Sequence, residues 1–157
     1  MRLRAFQTSD VSGVIALIDG VYREYGDVIC LEKADGDLLE IEARYRLRGG
    51  EFVVLDDQGT IRGTHAVVPL EAAGVCTFRR LYLDRSLRGG DWGSRLMQWA
   101  VDWAIAAGYQ RVEFWSDTRF TRAHRFFQRS GFEQDGRVRR MDDGAAPYEE
   151  YFFSRDL

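Results

Sequence analysis

The chain has 157 residues, a length that suits one domain with a proper hydrophobic core. Its formal net charge of −3 argues against the broad basic surface of a nucleic-acid-binding protein. No stretch has the apolar length of a membrane span or of a signal peptide, so we expect a single cytoplasmic domain over residues 1–157 without membrane contact.

The two cysteines, Cys30 and Cys76, are far apart in the sequence and have apolar neighbours. This usage predicts buried thiols, because disulfide frameworks and zinc sites need clustered or regularly spaced cysteines. No other pattern in the sequence indicates a metal site.

Alternating and helically spaced apolar residues divide the first half of the chain into a strand, two helices and three further strands. Residues Thr8–Asp10 are suitable N-caps for the first helix, and Gly26 is a suitable residue to end it. The predicted elements are a strand at Leu3–Phe6, a helix between Asp10 and Gly26, a helix over Asp37–Leu47, and strands at Phe52–Leu55, Ile61–Pro69 and Val75–Leu83.

In the second half of the chain, helices and strands alternate. Leu96, Ala100 and Trp103 have helical spacing and predict a helix that ends at Gly108. Because a strand–helix–strand unit spans residues 75–116, we expect a parallel pair there within an otherwise mostly antiparallel, twisted sheet of an α+β fold. The elements after Gly108 are a strand at Arg111–Ser116, a helix at about Thr121–Ser130, and strands at Phe132–Arg139 and Tyr148–Arg155.

The most informative segment is the turn after Leu83, where residues 88–93 read Arg-Gly-Gly-Asp-Trp-Gly. A strand, a glycine turn and a helix start direct unpaired backbone N–H groups and the positive end of a helix dipole at one point. That arrangement suits a phosphate group. The alternative is a plain tight turn, in which glycine only supplies a positive φ.

Two motifs in this order of elements resemble the GNAT superfamily of acyl-CoA-dependent N-acetyltransferases. The first is the R/Q-x-x-G-x-G/A turn, present here as residues 88–93. The second is the A-x-x-[LF]-[YF]-x-x-x-G-F signature of the last helix, which runs here from Ala123 to Phe132. The segment Arg79–Leu83 is also similar to the family's strand before the turn. Because both motifs occur at the right separation, the resemblance covers essentially the whole chain.

The resemblance implies a sheet with flanking helices whose fourth and fifth strands splay apart to hold the pantetheine arm of acetyl-CoA. The glycine turn would bind the diphosphate, and a backbone N–H would polarise the thioester carbonyl while an amine attacks it directly, with CoA as the product. The cofactor-binding residues that the resemblance implies are Leu81, Tyr82, Leu83, Arg88, Gly89, Gly90, Asp91, Trp92, Gly93, Ser94, Phe120, Ala123 and Phe127.

Three residues depart from the family pattern. Asp91 stands where glycine is usual, and its carboxylate weakens diphosphate binding unless the side chain turns outward. Phe127 stands where many members have a tyrosine that protonates the departing thiolate. Thr77 aligns with a strand-four glutamate that often serves as general base. The acid and base chemistry is therefore expected to use other side chains or water.

The residues considered for catalysis are His65, Asp117 and Tyr82. His65, on a predicted central strand, is either a general base or a half-buried histidine with a satisfied hydrogen bond. Asp117 ends a strand at the carboxyl edge of the sheet, where it either faces the ligand or caps the next helix. Tyr82 lies on the strand that would contact the cofactor. Further candidates for the base are Glu113, Tyr22 and Tyr25.

Residues 24–42 form an acidic region. If it lines the acceptor groove, it favours a cationic substrate; otherwise it is a solvated helix face. Its members are Glu24, Asp27, Glu32, Asp35, Asp37, Glu40 and Glu42.

The sequence thus predicts an N-acetyltransferase that acts on a primary amine of a small molecule or peptide and takes acetyl-CoA as donor. Dimerisation is common in the resembled family, which allows a homodimer, and no nucleic-acid or membrane partner is expected. The alternatives are a non-catalytic acyl-CoA-binding or regulatory module with this fold, and a structural protein that has kept only the fold.

Overall fold

The computed structural model describes residues 1–157 as a seven-stranded sheet with helices on both faces. The spatial order is β1-β2-β3-β4-β5-β7-β6. None of the helices combines the length and apolarity that a membrane crossing requires. The strands are β1 (Arg2–Ala5), β2 (Glu51–Asp57), β3 (Thr60–Pro69), β4 (Val75–Leu83), β5 (Arg111–Asp117), β6 (Glu133–Met141) and β7 (Tyr148–Asp156), and the helices are α1 (Val11–Arg23), α2 (Ile41–Arg44), α3 (Trp92–Ala106) and α4 (Thr121–Arg129).

The sheet separates two hydrophobic cores because successive side chains of a strand point to opposite faces. In β3, Ala66 and Val68 pack on the α1 side, whereas Val67 packs against the core formed with α3 and α4. All seven predicted strands are present, and so are the predicted helices that became α1, α3 and α4.

The parallel pair predicted around residues 75–116 is present but short. β4 pairs with β5 only at Val75–Arg111 and Cys76–Val112, and beyond these residues the two strands diverge. β5 instead pairs along its whole length with β7, in antiparallel orientation. The splay between the fourth and fifth strands is therefore confirmed, and it leaves the β5-facing edge of β4 without a ladder partner after Cys76.

A β-bulge interrupts β4 at the level where the strands separate. Thr64 pairs with Tyr82 and Ala66 pairs with Arg79, so two residues of β4 lie opposite the single residue between them in β3. Arg80 occupies the bulge with φ +58°, in the left-handed region that non-glycine residues rarely adopt. The bulge turns the Arg80 side chain towards α1 and the segment that follows it.

The prediction of one continuous helix over Asp37–Leu47 was wrong. This segment forms a 3-10 turn at Gly36–Leu39, the four-residue α2, and a second 3-10 turn at Arg46–Arg48. Glu40, with φ −137° and ψ 41°, breaks the helical backbone between them. Arg80 on β4 binds the Asp37 carboxylate, and this contact holds the first 3-10 turn apart from α2.

Both cysteines are free, but only Cys76 is buried. Burial raises the pKa of the Cys76 thiol to about 12, so this group is an inert part of β4. Cys30 is only half-buried, which corrects the prediction of two buried thiols.

Candidate active site

A cleft with a volume of about 540 Å³ opens where β4 and β5 separate. Alternation along the strands places side chains of β4, β5 and β7 in one wall, because residues two apart share a face. Residues of the segment 27–37 and of the β6–β7 turn line it from other sides. The strand residues of the wall include Thr77, Arg79, Glu113, Trp115, Asp117, Glu150 and Phe152.

A buried ion cluster around Arg80 lies in this cleft. The Arg80 guanidinium binds the Asp35 carboxylate at 2.9 Å through Nη1 and the Asp37 carboxylate at 3.0 Å through Nε. The side chains of all three residues are at most 11% exposed. Burial raises the pKa of the Asp37 carboxyl, but the charge of Arg80 more than offsets this, so the net pKa lies below its usual range. The cluster therefore fixes Asp35 and Asp37 against β4.

Two tyrosines extend this cluster towards the place where the strands separate. The Tyr22 hydroxyl donates to Asp35 Oδ1 at 2.8 Å, and the Tyr82 hydroxyl lies 3.4 Å from the Tyr22 hydroxyl. Burial raises the pKa of both phenols, which keeps them protonated at neutral pH. The Phe120 ring packs against both tyrosine rings, so the segment before α4 closes over the same region.

The glycine turn has the hydrogen-bonding pattern of an anion site. None of the backbone N–H groups of residues 89–94 has an acceptor in the protein. Gly89 has φ +84°, which a residue with a Cβ adopts only with strain, and α3 begins three residues later at Trp92. Six free N–H groups and a helix N-terminus converge here, which fits the diphosphate expected from the sequence.

The aspartate that departs from the family pattern points away from this turn. The Asp91 side chain is 66% exposed and binds Arg95, one helical turn later, at 2.9 Å. It makes no capping hydrogen bond to the first turn of α3. The Asp91 side chain therefore turns outward, which is the condition for its compatibility with diphosphate binding. Arg95 also partly neutralises its charge.

Arg88, the first residue of the glycine motif, is held by α1. Its two Nη atoms donate to the two carboxylate oxygens of Glu24 at 2.6 and 2.7 Å, and its Nε donates to the Leu83 carbonyl at 3.2 Å. This bidentate pair, between residues 64 positions apart, joins α1 to the turn.

The residues expected to contact the cofactor fall into two groups. Leu81, Tyr82, Phe120, Ala123 and Phe127 all line the cleft. The residues of the glycine turn lie at the far end of β4, outside the lining of the cleft, and so does Leu83. The unpaired edge of β4 joins the two groups into one continuous surface. Their roles as cofactor contacts stay predictions, which this surface supports.

The location of His65 favours the structural alternative considered for it. The residue is 1% exposed, and its ring packs against Phe78 and Trp99. Nδ1 lies 3.0 Å from the Leu96 carbonyl oxygen, so this nitrogen carries the proton of the neutral ring. Burial lowers the His65 pKa to about 4. A neutral histidine with one nitrogen occupied in this way ties β3 to α3.

Asp117 lies in the cleft wall but does not cap α4. Its Oδ1 accepts from the Arg119 backbone N–H at 2.9 Å, and its Oδ2 accepts from Arg119 Nη2 at 2.7 Å. The helix begins at Thr121, and its N-cap Phe120 makes no side-chain capping bond. The capping alternative was therefore wrong. Arg119 also binds Asp27, so it links the turn after β5 to the segment that follows α1.

One carboxylate and one arginine of the cleft, Glu150 and Arg139, were not among the candidates from the sequence. Glu150 pairs with Asp117 across the β5–β7 ladder, and burial raises its pKa despite an ion pair with Arg139. Arg139 also stacks over the Trp115 ring, with 4.5 Å between the guanidinium carbon and the ring centroid. Strand alternation in β7 could have placed Glu150 on this face, but the β5-β7-β6 order could not be inferred from the sequence.

The acidic region of residues 24–42 is not a free acidic surface. Six of its seven carboxylates are bound by arginines, so the interpretation of a groove that attracts cations is not supported. The pairs are Glu24 with Arg88, Asp27 with Arg119, Asp35 and Asp37 with Arg80, Glu40 with Arg44, and Glu42 with Arg46.

Comparisons with known proteins agree with this geometry. Residues 18–132 match the profile of the Acetyltransferase (GNAT) family, and the chain belongs to that family. A curated relative, aminoalkylphosphonate N-acetyltransferase of Salmonella typhimurium, is 32% identical over 138 residues, which are 84% of each chain. Family and relative together support acetyl transfer as the class of activity.

Solved structures of GNAT acetyltransferases share the whole fold. A GNAT-family acetyltransferase from Staphylococcus aureus superposes with a TM-score of 0.85 over 99% of this chain and 98% of its own, at 18% identity. An acetyltransferase from Streptococcus agalactiae gives 0.84 over the same shares, also at 18% identity. At this identity the likeness establishes the fold, and the chemistry of the site has to be argued from its own residues.

Proposed function

We propose that the protein transfers the acetyl group of acetyl-CoA to a primary amine in a ternary complex. The observation that carries the proposal is the continuity between the glycine turn and the cleft. Six unpaired N–H groups at residues 89–94 suit a diphosphate, and the free edge of β4 suits the amide-bearing pantetheine arm as an added strand. Leu81 and Phe127 line the cleft next to that edge.

The transfer itself needs no covalent enzyme intermediate. The amine nitrogen attacks the thioester carbonyl carbon, the new C–N bond forms, and the C–S bond breaks. The nitrogen loses one proton to become the amide, and the sulfur leaves as the CoA thiolate, which takes up one proton. A backbone N–H on the free edge of β4 stabilises the oxygen that gains negative charge. The thiol has an ordinary pKa of about 8.5, so water can supply its proton where Phe127 cannot.

The amine, with a pKa of about 10, must first lose a proton. We assign this step to the carboxylates at the ends of β5 and β7, where Asp117 and Glu150 lie opposite each other in the ladder. Tyr82 is protonated and linked through Tyr22 to Asp35, so its role in the proposal is to donate or relay a proton. His65 has no role in this scheme, because it is buried and bound to a helix carbonyl.

The acceptor in this proposal is a small molecule. A cleft of about 540 Å³ is the size of ordinary ligand pockets, and the curated relative is named for its action on aminoalkylphosphonates. A cytoplasmic location and a homodimer stay predictions of the sequence.

The test is thermal unfolding with and without acetyl-CoA, alongside release of the free CoA thiol on a panel of primary amines. At about 100 times its dissociation constant, a ligand stabilises the native state by about 2.7 kcal/mol, which raises the melting temperature measurably. We expect such a rise and amine-dependent thiol release.

The matched variants are Gly90→Asp and Gly90→Ala. A Cβ at Gly90 would meet only the Leu87 carbonyl oxygen, at 3.6 Å, so both variants should fold. We expect Gly90→Asp to lose the rise in melting temperature through its charge and Gly90→Ala to keep most of it. A rise without thiol release from any amine would favour a non-catalytic acyl-CoA-binding module, and no rise at millimolar acetyl-CoA would refute the proposal.

A further inference from the structure

Arg79 is a cation in the cleft wall without a carboxylate partner. On β4, its neighbour Phe78 points into the core beneath α3 and α4, so Arg79 points to the face of the sheet that carries α1, where it lines the cleft. The side chain is exposed, and its charge is close enough to help lower the pKa of Asp37. Asp37 itself is committed to Arg80, which leaves the Arg79 guanidinium free.

Two cations of the cleft lining, Arg79 and Lys33, have no acidic partner. Each carboxylate of the lining, by contrast, is bound by an arginine or by a tyrosine hydroxyl. The cations that stay available to a ligand in the cleft are therefore Arg79 and Lys33. The bound carboxylates are Asp35 and Asp37 with Arg80, Asp27 and Asp117 with Arg119, Glu113 with Arg111, Glu150 with Arg139, and Asp143 with the Tyr148 hydroxyl.

An unpaired guanidinium inside an amine-acetylating cleft selects for a particular kind of acceptor. The amine must reach the place where β4 and β5 separate, while a second group of the same molecule meets the guanidinium. The planar fork of an arginine binds two oxygens of a carboxylate, a phosphonate or a phosphate at once. The second negative charge of a phosphonate or phosphate monoester strengthens the attraction relative to a singly charged carboxylate. The curated relative acts on aminoalkylphosphonates, which combine an amine and such an anion in one small molecule.

We propose that Arg79, assisted by Lys33, forms the subsite that binds the phosphonate or phosphate monoester group of a short aminoalkyl acceptor. The proposal rests on the proposed acetyl transfer and adds the class of acceptor and the residues that recognise it. 2-Aminoethylphosphonate carries a phosphonate and O-phosphoethanolamine carries a phosphate monoester, so these two amines distinguish the two sources of the anion. β-Alanine is the comparison with a carboxylate, and n-propylamine is the comparison without an anionic group.

The experiment measures kcat/KM for these four amines in the wild type and in Arg79→Gln, Arg79→Lys and Lys33→Gln. Arg48→Gln is the matched control, because Arg48 is exposed on a 3-10 turn away from the cleft. We expect Arg79→Gln to lower kcat/KM for the preferred phosphorus-containing amine about 10- to 100-fold, mainly through KM, and to change n-propylamine by less than about threefold. Arg79→Lys should restore part of the loss.

Calorimetric titration of 2-aminoethylphosphonate and O-phosphoethanolamine into wild type and Arg79→Gln, with acetyl-CoA binding followed separately, tells the two proposals apart. Wild-type binding that Arg79→Gln loses supports the subsite even if no amine is acetylated, in which case only the proposed activity fails. Equal losses for n-propylamine and the phosphorus-containing amines, or equal affinity in wild type and Arg79→Gln, would overturn the subsite while leaving acetyl transfer intact.

Discussion

At the scale of single residues, His65 shows how burial decides between two readings of the same side chain. A histidine on a central strand has the ordinary pKa of a general base, but this one packs between aromatic rings and is held by the Leu96 carbonyl. Its pKa of about 4 in the folded chain is well below the value of about 6.5 in the unfolded chain. The unfolded state therefore binds a proton in a range where the folded state does not.

The expected result is a loss of stability on acidification that depends on His65. Because the folded pKa is lowered, the stabilisation is complete above about pH 6.5 and is lost as the pH falls towards about 4. Urea unfolding between pH 8 and pH 5 should cost the wild type about 2 kcal/mol more than His65→Gln, whose amide can still donate to Leu96. His124→Gln is the control, and it should retain the loss of unfolding free energy that His65 causes between pH 8 and pH 5. If the unfolding free energies of the wild type and His65→Gln changed equally with pH, the assignment of a lowered pKa to His65 would be contradicted.

At the scale of elements, the bulge in β4 and the segment 35–37 depend on each other. Arg80 adopts a positive φ because its guanidinium is bound by Asp35 and Asp37, which lie 45 and 43 positions earlier in the chain. The same contacts detach the turn at Gly36–Leu39 from α2. No local pattern in the sequence encodes these pairings, which is why periodicity alone predicted a continuous helix there.

Replacement of Arg80 by methionine should destabilise the fold strongly. The change keeps an unbranched apolar stem but leaves two buried carboxylates without a cation, which costs about 3–5 kcal/mol in comparable sites. Urea denaturation of Arg80→Met should show that loss, with Arg48→Met within about 0.5 kcal/mol of the wild type. Arg80→Gly separates the two effects, since it relieves the positive φ and still loses the ion pairs. A loss below 1 kcal/mol in Arg80→Met would mean that the cluster does not hold the bulge.

At the scale of the whole molecule, the sequence predicted the strands and the glycine turn because each has a local signature, whereas the splay was expected only from the resemblance to the GNAT superfamily. Alternation defined β2 to β5, and the glycine spacing of residues 88–93 indicated the turn whose backbone N–H groups are unpaired. The partners of the charged side chains could not be predicted, since they join residues distant in sequence. From the sequence, the acidic region was either a groove for cations or a solvated helix face, whereas in the folded chain arginines bind six of its seven carboxylates.

The ion pair between Glu24 and Arg88 links two parts of the molecule that take part in the proposed acetyl transfer. It joins α1, whose residue Tyr22 lines the cleft, to the first residue of the glycine turn. Arg88 lowers the pKa of the Glu24 carboxyl, so the pair is ionised at neutral pH and masks the charge of Arg88. Removal of the carboxylate in Glu24→Gln should free the guanidinium to attract the diphosphate of acetyl-CoA.

We therefore expect Glu24→Gln to bind acetyl-CoA about two- to fivefold more tightly at low salt, with the gain shrinking as the salt concentration rises. Calorimetric titrations at two ionic strengths measure this directly, and Glu42→Gln, which breaks an exposed pair with Arg46 away from the turn, is the matched control. Weaker binding in Glu24→Gln would reverse the interpretation, because the carboxylate would then be orienting Arg88 for the diphosphate instead of masking its charge. In that case α1 would act as a support of the cofactor site, and changes at the acceptor end of the cleft would be transmitted to the glycine turn through this pair.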